Sequence, residues 1–270
     1  MQLGIFAKTF SRPTVEGVFG AVRAYKLDCV QFNMACAGLS PLPDVIKPSL
    51  VARIRAASGD VGIAAVSGTY NMIHPAISVR HEDLRRLRVL ASACRSMGTS
   101  VITLCTGSRD AENMWRWHPE NASPQAWSDL LSSMESALRI AEEEQVTLAF
   151  EPEQANVVNS AAKGRALLAA MQSPRLKVII DPANLIVSAN RHEMRQVLDE
   201  AFDLLGEHII IAHAKDRGPD DAFRAAGEGI LDYDHYVHLL RSIAFEGPLI
   251  LHGLSEAQVD AALRFVRGKL

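Results

Sequence analysis

The chain has few cysteines, and Cys29, Cys36, Cys94 and Cys105 form no C-x-x-C pair. A chain of 270 residues buries enough surface to fold without a disulfide framework. Three of the four read as small core residues. Cys105, which ends an apolar run, is also weighed as a reactive thiol. No segment approaches the roughly 20 consecutive apolar residues that a membrane span requires. The start Met1-Gln2-Leu3-Gly4-Ile5-Phe6 lacks a basic region leading into an apolar helix. A soluble, cytoplasmic protein without membrane contact is therefore expected. An excess of charge is missing too: the formal net charge is −3, which argues against a large nucleic-acid interface. No composition break, low-complexity tract or internal repeat divides the sequence, so a single domain over residues 1–270 is expected.

What the sequence does contain is a layout used four times. Short β-branched or aliphatic runs at 146–151, 177–181, 208–213 and 248–252 stop at Glu151, Asp181, His213 and His252, and each is followed by a loop and a helical stretch. Further strand-like runs fall at 3–7, 27–32, 62–68 and 100–105. Strands alternating with helices, with polar groups at strand ends, describe the active-site rim of a (β/α)8 TIM barrel of the α/β class. Several helix ends are readable. Ser123 before Pro124 is an N-cap followed by proline at the first helical position, opening a helix to about Gln145. Gly98, Gly206 and Gly268 each close an amphipathic stretch.

Side-chain alternation places Thr147, Ala149 and Glu151 on one face of their strand and Val146, Leu148 and Phe150 on the other. The bulky set suits the helical shell, so Glu151 points into the barrel. The same parity groups Ile179 with Asp181, Ile211 with His213 and Ile250 with His252. Burying such groups without a partner is costly, and a shared divalent ion is a physical reason for them to converge.

These motifs carry a resemblance. Glu151 in Phe-Glu-Pro-Glu, Asp181 in Ile-Asp-Pro-Ala-Asn, His213 in His-Ala-Lys-Asp, and Gly227-Glu228-Gly229 before Leu231-Asp232 together resemble the xylose-isomerase-like barrels. That superfamily includes sugar epimerases, hydroxypyruvate isomerases, inosose dehydratases and endonuclease IV. Ser67-Gly68-Thr69-Tyr70-Asn71-Met72-Ile73-His74-Pro75 also resembles bacterial members described only as sugar phosphate isomerase/epimerase. The resemblance implies a homodimer or homotetramer.

In the epimerases, the resemblance implies a divalent ion held by a glutamate, an aspartate, a histidine and a second glutamate. Glu151, Asp181 and His213 match the first three, while His252 stands where the second glutamate is expected. Imidazole in place of carboxylate softens the site and favours Mn²⁺, Fe²⁺, Co²⁺ or Zn²⁺ over Mg²⁺. The epimerase scheme uses both glutamates as acid and base, and only Glu151 remains. His252 is a candidate for the second role, with Glu153, His74 and Glu228 as others. Asn184 occupies a position where some members carry a histidine; it can still bind a substrate hydroxyl but is a poor metal ligand. That departure argues against the trinuclear zinc site of the nuclease.

The loop after the fourth strand holds Arg109, Trp115, Arg116, Trp117 and His118. Tryptophan faces stack on sugar rings, and arginine clamps carboxylate or phosphate; the alternative is a lid that packs on the barrel or a neighbouring subunit. Lys215 and Arg217 read either as an anion site or as salt-bridge partners of Asp216 or Glu228. Glu153 faces substrate or joins a rim ion pair, and His74 binds substrate or caps a turn. His81, His192, His208, His235 and His238 are assigned to structure. Arg80, Arg85, Arg86 and Arg88 fall at helical spacing, as on a solvated face or subunit contact. The expectation is a metal-dependent isomerase or epimerase acting on a small sugar or α-hydroxycarbonyl compound through an enediolate. Elimination of the inosose-dehydratase type and a non-catalytic sugar- or metal-binding barrel are the alternatives.

Overall fold

A computed structural model describes residues 1–270. It contains strands β1 (Gln2–Phe6), β2 (Cys29–Phe32), β3 (Gly62–Ser67), β4 (Val101–Leu104), β5 (Thr147–Phe150), β6 (Leu176–Ile180), β7 (Ile209–Arg217), β8 (Phe223–Ala225) and β9 (Pro248–Leu251). All but β8 are parallel and pair in chain order, and β9 closes the ring by pairing with both β7 and β1. The helices are α1 (Val15–Ala24), α2 (Pro48–Ser58), α3 (Ile77–Met97), α4 (Pro124–Glu144), α5 (Ala161–Met171), α6 (Pro182–Leu185), α7 (Met194–Leu205), α8 (Tyr233–Ser242) and α9 (Val259–Arg267). The fold is a single (β/α)8 barrel, and none of its helices is long and apolar enough to cross a membrane.

The two predicted strand faces separate as expected. Cys29, Ala65, Ala149, Ile179, Ile211 and Ile250 form a small cluster inside the ring. Leu148, Phe150, Val178, Ile180, Ala212 and Leu251 belong to the larger core between strands and helices. Alternation therefore sends Glu151, Asp181 and His213 toward the interior at the strand ends.

Local sequence accounts for several boundaries. Ser123 accepts a hydrogen bond from the Ala126 amide at 3.1 Å and opens α4, which ends at Gln145 in the left-handed conformation. Gly98 closes α3 with φ of 96°. Gly206 and Gly268 also follow helices, but both keep right-handed backbone, because each continues into a further tight turn rather than reversing direction.

One strand departs from expectation. β7 does not stop at His213 but runs on to Arg217, because Lys215, Asp216 and Arg217 pair antiparallel with Ala225, Arg224 and Phe223 of β8. The barrel wall is thus raised on this side by a short hairpin.

Candidate metal centre

Four neighbouring strands supply the centre. Glu151 follows β5 directly, Asp181 follows β6, His213 lies within β7 and His252 follows β9. Asp181 is also the N-cap of α6: its Oδ1 accepts from the Ala183 amide at 2.9 Å, so this oxygen is fixed by the backbone and Oδ2 turns inward. One ligand atom from each of Asp181, His213 and His252 lies within 4.8 Å of the other two. Asp181 Oδ2, His213 Nδ1 and His252 Nδ1 are buried; the two imidazole nitrogens have no hydrogen-bond partner, and Asp181 Oδ2 has Lys215 Nζ, at 2.9 Å, as its ion-pair partner. A buried carboxylate and two imidazoles with buried Nδ1 atoms, converging in this way, are a donor set that a divalent cation would satisfy. Two nitrogens and an oxygen suit Zn²⁺, Mn²⁺, Fe²⁺ or Co²⁺.

Glu151 stands beside this triad. Its Oε1 is 3.6 Å from His213 Nδ1 and accepts from Asn184 Nδ2 at 2.5 Å. Asn184 in turn accepts from Lys215 Nζ at 3.1 Å, and Lys215 Nζ is 2.9 Å from Asp181 Oδ2. Lys215 is thus buried in the centre and paired with Asp181, rather than with Asp216 or Glu228.

The charges set one another. Burial opposes the Asp181 carboxylate, but Lys215 and His213 outweigh it and hold this carboxyl below the usual range. Burial likewise opposes the His213 imidazolium, yet Glu151 and Asp181 lift it to about 9 before any cation binds. His252 is pushed well below 6.5 by burial, then by His213 and Lys215, and stays neutral. Glu153 is raised to about 8, first by burial and then by the Glu151 charge, so it keeps its proton at neutral pH.

The remaining candidates separate into those near the centre and those engaged elsewhere. Arg217 lies on the raised hairpin, donates to the Ala183 carbonyl at 3.1 Å and sits over Phe223 at 4.7 Å, while Lys215 Nζ is 3.9 Å from the same ring. His74 caps a turn: Nδ1 accepts from the Ala76 amide at 3.1 Å, and Nε2 lies 3.2 Å from the Ala111 carbonyl. Glu228 is exposed and accepts from Gln258 at 2.6 Å, without a hydrogen bond to the centre. Arg109 is bound to Asp129 at 2.6 Å and to the Ile73 carbonyl, and Arg116 to Asp110, so both arginines build the loop rather than reach for a ligand. Trp115 and Trp117 remain 48% and 56% exposed. Trp117 lines a shallow depression with Gln154 and Asn159, next along the chain from Glu153. Cys105 donates to the Tyr70 carbonyl, and burial pushes its thiol far up, which makes it a core residue.

Three contributors are not evident from the sequence. Gln31 Oε1 lies 3.0 Å from His213 Nε2, while its amide nitrogen reaches Ser67 and Thr103. With the amide oxygen facing the ring, Nε2 carries the hydrogen and Nδ1 is left to coordinate. Phe6 stacks on the second face of His252 at 4.9 Å. Tyr236 donates to the His213 carbonyl at 3.1 Å and steadies the strand beneath it. The one sequence signal for Gln31 is a polar side chain at an inward position of a short apolar strand.

A family model described as xylose isomerase-like TIM barrel matches residues 19–269. The chain belongs to this family. Among curated relatives, the L-ribulose-5-phosphate 3-epimerase UlaE of Shigella boydii serotype 18 is 24% identical over 197 residues, which is 71% of this chain and 63% of that protein. The chain thus spans less than two thirds of the length of that relative. Among solved structures, D-psicose 3-epimerase from Clostridium cellulolyticum H10, determined with D-tagatose, superposes with a TM-score of 0.74 at 15% identity, covering 100% of this chain and 99% of that one. The IOLI protein, whose structure holds a zinc atom, superposes with a TM-score of 0.72 at 13% identity, covering 100% and 96%. Curated relatives and structural neighbours thus include sugar epimerases.

Proposed function

We propose that this protein is a divalent-metal-dependent isomerase or epimerase of a small sugar or α-hydroxycarbonyl compound. The observation that carries the reading is the convergence of Asp181, His213 and His252, each offering a ligand atom within 4.8 Å of the others, at the barrel's C-terminal mouth beside Glu151. These three residues, joined by Glu151, would hold the cation. When bound, a divalent ion there would polarise adjacent substrate oxygens and acidify the C–H between them.

The chain's own groups divide the remaining work. Glu151, oriented by Asn184, is placed to remove the α-proton. Glu153 keeps a proton at neutral pH and can return it to another carbon or the opposite face. Buried Lys215 offsets the carboxylates and presents donors to a developing oxyanion. The exposed Trp117 face, with Gln154 and Asn159, offers an uncharged surface suited to a polyol. Elimination through the same enediolate is the second reading. It is favoured by His252, which leaves the last strand without the second carboxylate of a symmetric pair.

The test is elemental analysis of the purified protein and of Glu151→Gln, followed by incubation with a panel of ketoses and hydroxyketo acids in deuterated water. About one equivalent of metal and deuterium incorporation at a substrate α-carbon, lost in Glu151→Gln, is the expected result. Loss of water from the labelled substrate would assign the elimination. Metal bound without exchange on any substrate would leave a binding barrel. Absence of metal after reconstitution would overturn the proposal.

A further inference from the structure

Of all the phenylalanines, tryptophans and tyrosines in the chain, only Trp115, Trp117 and Phe223 are exposed. All three stand on segments that follow the C-terminal ends of barrel strands, the tryptophans in the loop after β4 and Phe223 on β8. Everywhere else the aromatic rings are buried or half-buried.

Phe223 pairs directly with Arg217 across the β7–β8 hairpin, so the two side chains share one face. Alternation puts Lys215 on the same face, and Lys215 Nζ reaches Asp181 Oδ2 at 2.9 Å, which identifies it as the face turned to the metal centre. The ring centroid is 3.9 Å from Lys215 Nζ and 4.7 Å from the Arg217 guanidinium carbon. Neither cation needs the ring. Lys215 is already paired with Asp181 and Asn184, and Arg217 donates to the Ala183 carbonyl. Phe223 is nonetheless 46% exposed. Apolar area left in water is unfavourable, and at this place it is open to whatever the centre binds.

We infer that Phe223 is a specificity-determining residue that stacks on the substrate, and that the substrate is ring-closed: a cyclic α-hydroxyketone whose C–H face lies on the phenyl ring. The inference rests on the isomerase or epimerase reading, which requires the α-hydroxyketone; the exposed ring adds the requirement for a cyclic body. A six-membered ring with equatorial hydroxyls gathers its axial hydrogens on its faces, and these weakly positive C–H groups meet the negative face of a phenyl ring. An open-chain ketose spreads its hydroxyls on all sides and offers no such face. Lys215 and Arg217 hold the phenyl ring in place through cation–π contact, so it is ordered before a ligand arrives.

The test is ligand-observed NMR titration of the protein as purified, its metal content measured in parallel, with scyllo-inositol and with D-sorbitol. The two polyols carry the same carbons and hydroxyls, one closed in a ring and one open. The cyclic polyol is expected to bind more tightly. Its affinity should fall about fivefold in Phe223→Leu, the worth of one aromatic face, and recover in Phe223→Tyr, while sorbitol binding stays as in the wild type. Phe223 is exposed, so the leucine leaves no cavity in the core. A ring that only shields Lys215 would change both polyols together. Equal affinity for the two polyols, no binding of the cyclic one, or cyclic-polyol binding unchanged in Phe223→Leu would overturn the inference. So would a smaller sedimenting species in Phe223→Leu, which would assign the ring to a contact between copies of the chain. Failure of the isomerase reading is seen separately, as absence of metal or of deuterium exchange, since polyol binding is measured without turnover.

Discussion

His252 lies flat on His213, their ring planes 5° apart and their centroids 4.9 Å apart. Two imidazoles stacked in this way resist sharing a second positive charge. His213, beside Glu151 and Asp181, takes the proton, and His252, closed on its other face by Phe6, stays neutral. A neutral imidazole with a free lone pair is the form that binds a cation. His252→Ala is therefore expected to weaken metal binding by more than about 100-fold, beyond the range typical of outer-shell partners, and to abolish turnover. His252→Glu should retain the metal while shifting preference toward Mg²⁺ and Mn²⁺. Competitive metal titrations read both, and full occupancy in the alanine variant would remove His252 from the ligand set.

Metal uptake should depend on pH with a definite sign. In the metal-free protein His213 binds its proton up to about 9, against an ordinary 6.5. A cation at Nδ1 must displace that proton, so apparent affinity rises with pH through this window and levels off above it. The same shift stabilises the metal-free fold fully below 6.5, and that contribution is lost as pH rises through about 9. Titrations in weakly buffered solution should show proton release on metal addition at neutral pH. An affinity independent of pH, with no proton released, would contradict this picture.

In the proposed metal centre Gln31 would act on a bound cation through His213. Gln31→Leu removes the acceptor at Nε2 and is expected to lower metal affinity by about 10–100-fold, with Gln31→Glu restoring an acceptor at the same place. Metal affinity in the leucine variant equal to wild type would make Gln31 a packing residue only.

The loop after β4 depends on Gly107. Its φ is 82°, and a Cβ there would lie 2.3 Å from Asn71 Oδ1 and 2.9 Å from the Met72 amide nitrogen. Asn71 and Asn156 hold the loop backbone at Ser108, Thr106 and Gly107. Gly107→Ala should cost about 2–4 kcal/mol from left-handed strain plus overpacking, measured by denaturant unfolding. A loss below about 1 kcal/mol would mean that the turn relaxes freely.

The convergence of Glu151, Asp181, His213 and His252 was legible because a barrel ties side-chain direction to position: inward parity on neighbouring strands suffices to bring them together, although His213 lies within β7 rather than at its end. The α4 start was legible from Ser123 and Pro124 alone. What escaped depends on partners distant in sequence. Gln31 meets His213 across 182 positions, and nothing near either residue announces the pairing. The extension of β7 requires β8, a three-residue strand too short to show a period. His74, Arg109 and Arg116 have the right chemistry for substrate, but whether backbone carbonyls and Asp129 or Asp110 claim them first is decided only by the folded loop.

The β7–β8 hairpin gives the mouth an uneven rim. On that side Lys215 to Arg217 are locked in a ladder that rises past His213, and Asp216 accepts from the amides of Arg217, Gly227 and Leu231. Three strands further round the ring stands the loop after β4 that carries Trp115 and Trp117, joined to the body through side-chain hydrogen bonds. A molecule entering this mouth would therefore meet a backbone-paired wall on one flank and two exposed indole faces on the other.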